Sequence, residues 1–161
     1  MPSLLISAET AKAAFEVIKS SMKNQTANEK CTFVIATVKG DIHDIGKNIV
    51  KLLLENYGYR VIDLGSDVAP EIILDSVIKN KAPLLGLSAL MTTTVKSMEQ
   101  TISLVNKHAP WCKIIVGGAV LTKDYADSIG ADFYAKDALE SVKYSNTIYE
   151  TGDFYEKNIK F

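Results

Sequence analysis

The chain has 161 residues, 47% of them hydrophobic and 23% charged, enough to bury one core without disulfide or metal staples. A net charge of −1 with scattered basic residues excludes nucleic-acid binding driven by bulk charge. The opening stretch, MPSLLISAETAKAAFE, has only a short apolar run and carries Glu9 early, so neither a secretion signal nor a membrane span is expected and the cytoplasm is the expected location. Residues 1–30 are expected to hold one amphipathic helix, Glu9 to Lys23, and the polar linker NQTANEK. From Cys31, β-branched runs alternate with helical stretches, the pattern of a parallel sheet with crossover helices. The strands read TFVIATV, RVIDLG, PLLGLSAL, KIIVGG and ADFYA, and their continuous apolar character implies that both sheet faces are covered. Helices are expected at Lys47 to Tyr57, Pro70 to Asn80, Thr94 to His108, Lys123 to Ile129 and Asp137 to Tyr149, with Gly58 and Gly130 just past two helix ends. The folded domain thus spans 31–150, and 151–161 is a tail. Cys31 and Cys112 lack any paired spacing and read as buried apolar residues.

The stretch ATVKGDIHDIGKNIV has the look of a phosphate-binding loop, but five residues rather than four separate Gly40 from Gly46-Lys47. Asn48 stands where a magnesium-binding hydroxyl is needed, and Asp41 and Asp44 would repel phosphate. What remains is Asp41-x-His43-x-x-Gly46, in the loop after the first strand. In an open α/β sheet ligands bind beyond the carboxyl ends of the strands, where the winding reverses. The same edge should receive Ser88, Leu90 and Thr92-Thr93-Thr94 from the loop after the third strand, and Gly117-Gly118 from the loop after the fourth. Each has an ordinary reading as well: the threonines as helix caps, the glycines as a tight turn, Leu90 as core. Asp63, ending the second strand, invites comparison with a phospho-acceptor, but an acceptor of that kind follows the third strand, where Ser88 stands instead.

Asp41-x-His43-x-x-Gly46, then 41 residues to Ser88-x-Leu90, then 26 to Gly117-Gly118, resembles the vitamin B12-binding domain of cobalamin-dependent methionine synthase and the corrinoid methyl-carrier proteins. The resemblance runs from about Phe33 to Ala138, and it implies a flavodoxin-like five-stranded parallel sheet of order 2-1-3-4-5. It implies cobalamin or a related corrinoid as cofactor, with His43 as the lower ligand to cobalt, Asp41 accepting a hydrogen bond from the imidazole, and Thr94 standing where the family has a serine bonded to that aspartate. Asp44, Ile45, Gly46, Ser88, Leu90, Thr92, Gly117 and Gly118 are the further expected cofactor contacts. Ser88 and Thr92 would bond the displaced base region, Leu90 would pack in the channel wall, and the glycine pair would leave room for the nucleotide tail.

The function so implied is a methyl carrier, in which cobalt takes a methyl group from a donor on one partner methyltransferase and yields it to an acceptor on another. A reductive activase is a further expected partner; nucleic acid and membrane are not. The family usually has a helical bundle ahead of this domain, and here one helix precedes the first strand, so the expectation is either a shortened sequence or another chain that shields the cobalt. Two other readings stand beside it: the small subunit of an adenosylcobalamin-dependent mutase, and a non-catalytic cobalamin sensor or storage module. HDIGKNIV and LSALMTTT speak against the mutase, and the lack of an output domain against the sensor.

Overall fold

The computed structural model describes residues 30–151 and, ahead of them, Ala13 alone. The helix expected over Glu9 to Lys23 and the tail after Thr151 lie outside the described residues. In chain order the elements are β1 (Thr32–Thr37), α1 (Ile45–Asn56), β2 (Arg60–Asp63), α2 (Pro70–Lys79), β3 (Leu84–Ser88), α3 (Val95–His108), β4 (Lys113–Gly117), α4 (Lys123–Ser128), β5 (Phe133–Tyr134) and α5 (Ala138–Thr151). All neighbouring strands pair in parallel, in the order β2-β1-β3-β4-β5, as the flavodoxin-like expectation requires. Of the stretch ADFYA, Phe133 and Tyr134 form β5, and the N–H groups of Asp132 and Ala135 on either side donate to Ile114 O and Val116 O of β4 at 2.9 Å.

Alternation along the buried strands divides the core in two. Val34, Ala36 and Val38 of the first strand and its exit, with Leu85, Leu87, Ile114 and Val116, point to one face and meet Ile73 and Val77 of α2 and Met98, Ile102 and Val105 of α3. Phe33, Ile35, Leu84 and Ile115 point to the other and meet Leu54 of α1 and Val142 and Ile148 of α5. The period of two sends neighbouring residues to opposite layers, and both layers are apolar, so the strands read as unbroken hydrophobic runs. The chain leaves β1 toward β2 on one side and, after α2, returns to pair β3 on the other side of β1. The reversal lies between β1 and β3, and it opens a crevice at their carboxyl ends.

Candidate functional site

Three strand ends stand side by side at that crevice, with Thr37 paired to Ser88 and Ser88 to Gly117. The ladder extends one bond into each loop: Val38 N–H donates to Ser88 O at 3.0 Å, and Ala89 N–H to Gly117 O at 3.2 Å. Gly118 has φ of +148°, and a Cβ there would stand 1.8 Å from Ala89 O, so the two loops touch backbone to backbone and only glycine fits. The ordinary reading of this glycine is therefore sufficient for it.

Asp41 is fully buried, yet its carboxylate is saturated with donors. Oδ1 receives the His43 backbone N–H at 3.0 Å and lies 2.7 Å from His43 Nδ1, while Oδ2 receives Leu90 N–H at 2.7 Å and the Thr94 hydroxyl at 2.9 Å. Burial alone would raise the pKa of Asp41, but the bonds from Leu90, His43 and Thr94 outweigh it and hold the group well below the ordinary carboxylate value. An ionised Asp41 can only accept, so Nδ1 carries the proton, and in the neutral imidazole Nε2 is then the nitrogen with the lone pair. The His43 side chain is 46% exposed, so that lone pair belongs to an accessible ring. Thr94 occupies the cap position of α3 but makes no side-chain cap bond; its hydroxyl lies 2.9 Å from both Asp41 Oδ2 and Met91 O. The cap reading of Thr94 is thus replaced by a bond across the crevice.

The backbone bearing His43 is held by residues that local pattern did not single out. Thr37, fully buried, donates its hydroxyl to His43 O at 3.1 Å. Asp67, in the loop after β2, receives Gly40 N–H at 2.8 Å on its carboxylate, and its own N–H donates to Asp41 O at 2.9 Å. Lys47, in the first turn of α1, has its ammonium 2.6 Å from Asp63 Oδ1 and 2.8 Å from Asn48 Oδ1. Asp63 also receives Gly65 N–H at 2.9 Å and faces Lys51 at 3.6 Å. Burial would raise its pKa, but Lys47, Gly65 and Lys51 lower it overall, and the carboxylate is committed to joining α1 to β2.

The remaining expected residues separate into polar and apolar sets. Ser88 is half-buried and Thr92 exposed, and neither hydroxyl has a hydrogen bond among the described residues. Asp44 caps α1 by position and accepts Asn48 N–H through its backbone oxygen. Gly46 lies in the first turn of α1 with nothing within 4 Å of where its Cβ would be, and Gly117 would meet only Ala135 O, at 3.6 Å. The ordinary reading of Leu90 as core does not hold: it is 39% exposed, its N–H turning inward to Asp41 while its side chain turns out of the core. It joins an apolar rim of Ile42, 73% exposed, with Ile45, Met91 and Val120. Ile42, Met91 and Val120 were missed by motif reasoning, and the available signal was apolar side chains in loops that have no core to face.

Among the described residues no group of three or more His, Cys, Asp or Glu side chains stands together. Burial pushes the Cys31 thiol up to about 11 and raises that of Cys112 as well, which leaves both protonated and poor ligands. A single oriented imidazole is too few donors for a bare ion, so the donor set fits a metal that would arrive with ligands of its own. The open space over Gly46 and the apolar rim fit a large, flat, largely apolar macrocycle. Residues 31–143 match the family model described as B12 binding domain. The chain is 42% identical over 147 residues to trimethylamine corrinoid protein 2 of Methanosarcina mazei, covering 88% of this chain and 67% of that one. The monomethylamine corrinoid protein of Methanosarcina barkeri superposes with a TM-score of 0.82 at 30% identity, over 92% of this chain and 71% of that one. The methanol:cobalamin methyltransferase complex MtaBC of the same organism gives 0.74 at 32%, over 93% and 58%. This chain belongs to the B12-binding domain family.

Proposed function

We propose that this protein is a corrinoid methyl carrier, the corrinoid-bearing component of a methyltransferase system, with His43 as the protein's ligand to cobalt through Nε2. The observation that carries the reading is the buried, ionised Asp41, fastened by Leu90 and Thr94 and holding His43 Nδ1 at 2.7 Å in an open, apolar-rimmed crevice. Its relatives are corrinoid proteins of methylamine metabolism and a chain of a methanol methyltransferase complex. When bound, the corrinoid supplies a cobalt centre able to take up and release a methyl group.

The chain's own residues do the rest. Asp41 fixes the tautomer and direction of the imidazole, as outer hydrogen bonds to ligating histidines do. Leu90 N–H and Thr94 keep Asp41 ionised where burial would otherwise favour its neutral form. Ser88 and Thr92 offer unengaged hydroxyls to the polar part of the cofactor, and Gly46 keeps its path free of side chain. Ile42, Ile45, Leu90, Met91 and Val120 keep water from its apolar face. Donor and acceptor methyltransferases, and a reductive activase, are the partners that complete the cycle, and the carrier alone is a poor catalyst. Electron paramagnetic resonance of the Co(II) cobalamin-loaded protein tests the ligand. With histidine labelled by the heavy nitrogen isotope, the superhyperfine triplet should become a doublet, and His43→Ala should abolish it. A triplet indifferent to both would mean that the cofactor's own base stays on cobalt, and the assignment would fall.

A further inference from the structure

Asp67 has φ of +53°, in the left-handed region that few residues other than glycine adopt. Aspartate tolerates it better than most but less well than glycine, so something holds it there. Two hydrogen bonds do. Its carboxylate takes Gly40 N–H at 2.8 Å, and its backbone N–H reaches Asp41 O at 2.9 Å. The left-handed turn is what lets one residue grip both ends of the Gly40-Asp41 pair, at Gly40 N–H and at Asp41 O. Lys39 approaches the same carboxylate at 3.4 Å with both side chains about half exposed, so solvent screens that pair.

The grip complements the other attachments of the loop. Thr94 and Leu90 reach the Asp41 side chain from the loop after β3, and Thr37 holds His43 O from β1. Without Asp67, the start of the loop would be attached through the Asp41 N–H bond to Val38 O at 3.1 Å, within its own turn. We infer that Asp67 is a positioning residue for His43, which clasps the Gly40–Asp41 backbone from the loop after β2 so that Asp41 presents its carboxylate to the imidazole at a fixed angle. The inference rests on His43 being the cobalt ligand, and it assigns the loop after β2 a part in metal coordination without any contact with the metal.

Three variants separate the carboxylate from the backbone shape. Asp67→Gly relieves the left-handed conformation but removes the acceptor; Asp67→Asn retains an oxygen acceptor; Asp67→Ala loses both advantages. In the cofactor-free full chain, amide hydrogen exchange at Gly40 should quicken about 5-fold in Asp67→Gly, the factor of a typical net hydrogen bond, and stay near wild type in Asp67→Asn. In the Co(II) cobalamin-loaded chain with isotopically labelled histidine, the ratio of histidine-coordinated to uncoordinated cobalt should fall about 10-fold in Asp67→Gly, the lower end of outer-sphere effects on metal sites, and return in Asp67→Asn. Wild-type values for Asp67→Gly in both measurements would overturn the clasp, as would failure of Asp67→Asn to restore them. If the wild-type protein itself lacked a histidine signature, the coordination reading would fall, and Gly40 exchange would still decide whether the clasp exists.

Discussion

Removing one partner of the Lys47–Asp63 pair should be unequal in cost depending on which is removed. The Lys47 side chain is 2% exposed, and its two acceptors are Asp63 Oδ1 at 2.6 Å and Asn48 Oδ1 at 2.8 Å. Asp63→Leu leaves that ammonium buried with one neutral acceptor, a loss of roughly 3–5 kcal/mol for an orphaned buried charge. Lys47→Met fills the same slot with apolar chain and leaves Asp63 19% exposed, still bonded to Gly65 N–H at 2.9 Å and 3.6 Å from Lys51. That change removes one charge-assisted hydrogen bond, about 1.5–3 kcal/mol. The double variant exchanges the pair for apolar side chains, which is often close to neutral, so the two losses should not add. Urea unfolding of the cofactor-free wild type, both single variants and the double variant at neutral pH completes the cycle, with unchanged m-values as the check on two-state behaviour. Lys47→Met costing as much as Asp63→Leu, or singles that sum to the double, would refute the assignment of burial to the lysine end.

Thr94→Val should lower stability by about 1.5–3 kcal/mol through loss of a hydroxyl donated to an ionised carboxylate, while Thr94→Ser should restore it; thermal unfolding distinguishes them. Asp41 has its folded pKa depressed, so its contribution to stability is complete above the ordinary value of 3.8 and is lost as pH falls below it toward the folded value. Acid unfolding of cofactor-free Asp41→Asn should accordingly show a shallower dependence on pH in that window than wild type, and an unchanged slope would contradict the bonding found at Asp41. Gly46→Ala should stabilise the cofactor-free protein by about 0.5–1 kcal/mol as a helix substitution into open space, yet weaken cobalamin binding in a spectrophotometric titration. Gly118→Ala, whose Cβ would fall 1.8 Å from Ala89 O, should fail to give soluble folded protein in an expression and circular dichroism comparison with Gly46→Ala.

Strand identity was legible because β1, β3 and β4 are buried on both faces and so consist of unbroken apolar runs. The convergence of Asp41, His43 and Thr94 followed from topology, since parallel strands deliver all their exit loops to one edge. The Asp67 clasp and the Lys47–Asp63 pair were not legible. Their partners lie 27 and 16 residues apart, and no periodicity records which of many surface-type residues will meet. Lys47 was taken for a phosphate-loop lookalike and Asp63 for a rejected acceptor, and each explains the other once they touch. The start of α1 at Ile45, two residues before the expected Lys47, has a similar origin: Asp44 O accepts Asn48 N–H and draws Ile45 and Gly46 into the first turn. The ordinary reading of Leu90 as core fails because sequence shows its hydrophobicity but not the demand on its backbone N–H.

The Asp41 carboxylate is bonded by the backbone N–H of His43 on one oxygen and of Leu90, 49 residues later, on the other. The second of those bonds spans the loops that leave β1 and β3, so it depends on the two strands standing side by side. Any shift of β3 against β1 would therefore reach the imidazole through one carboxylate, so that the pairing of two strands sets the aim of a single side chain.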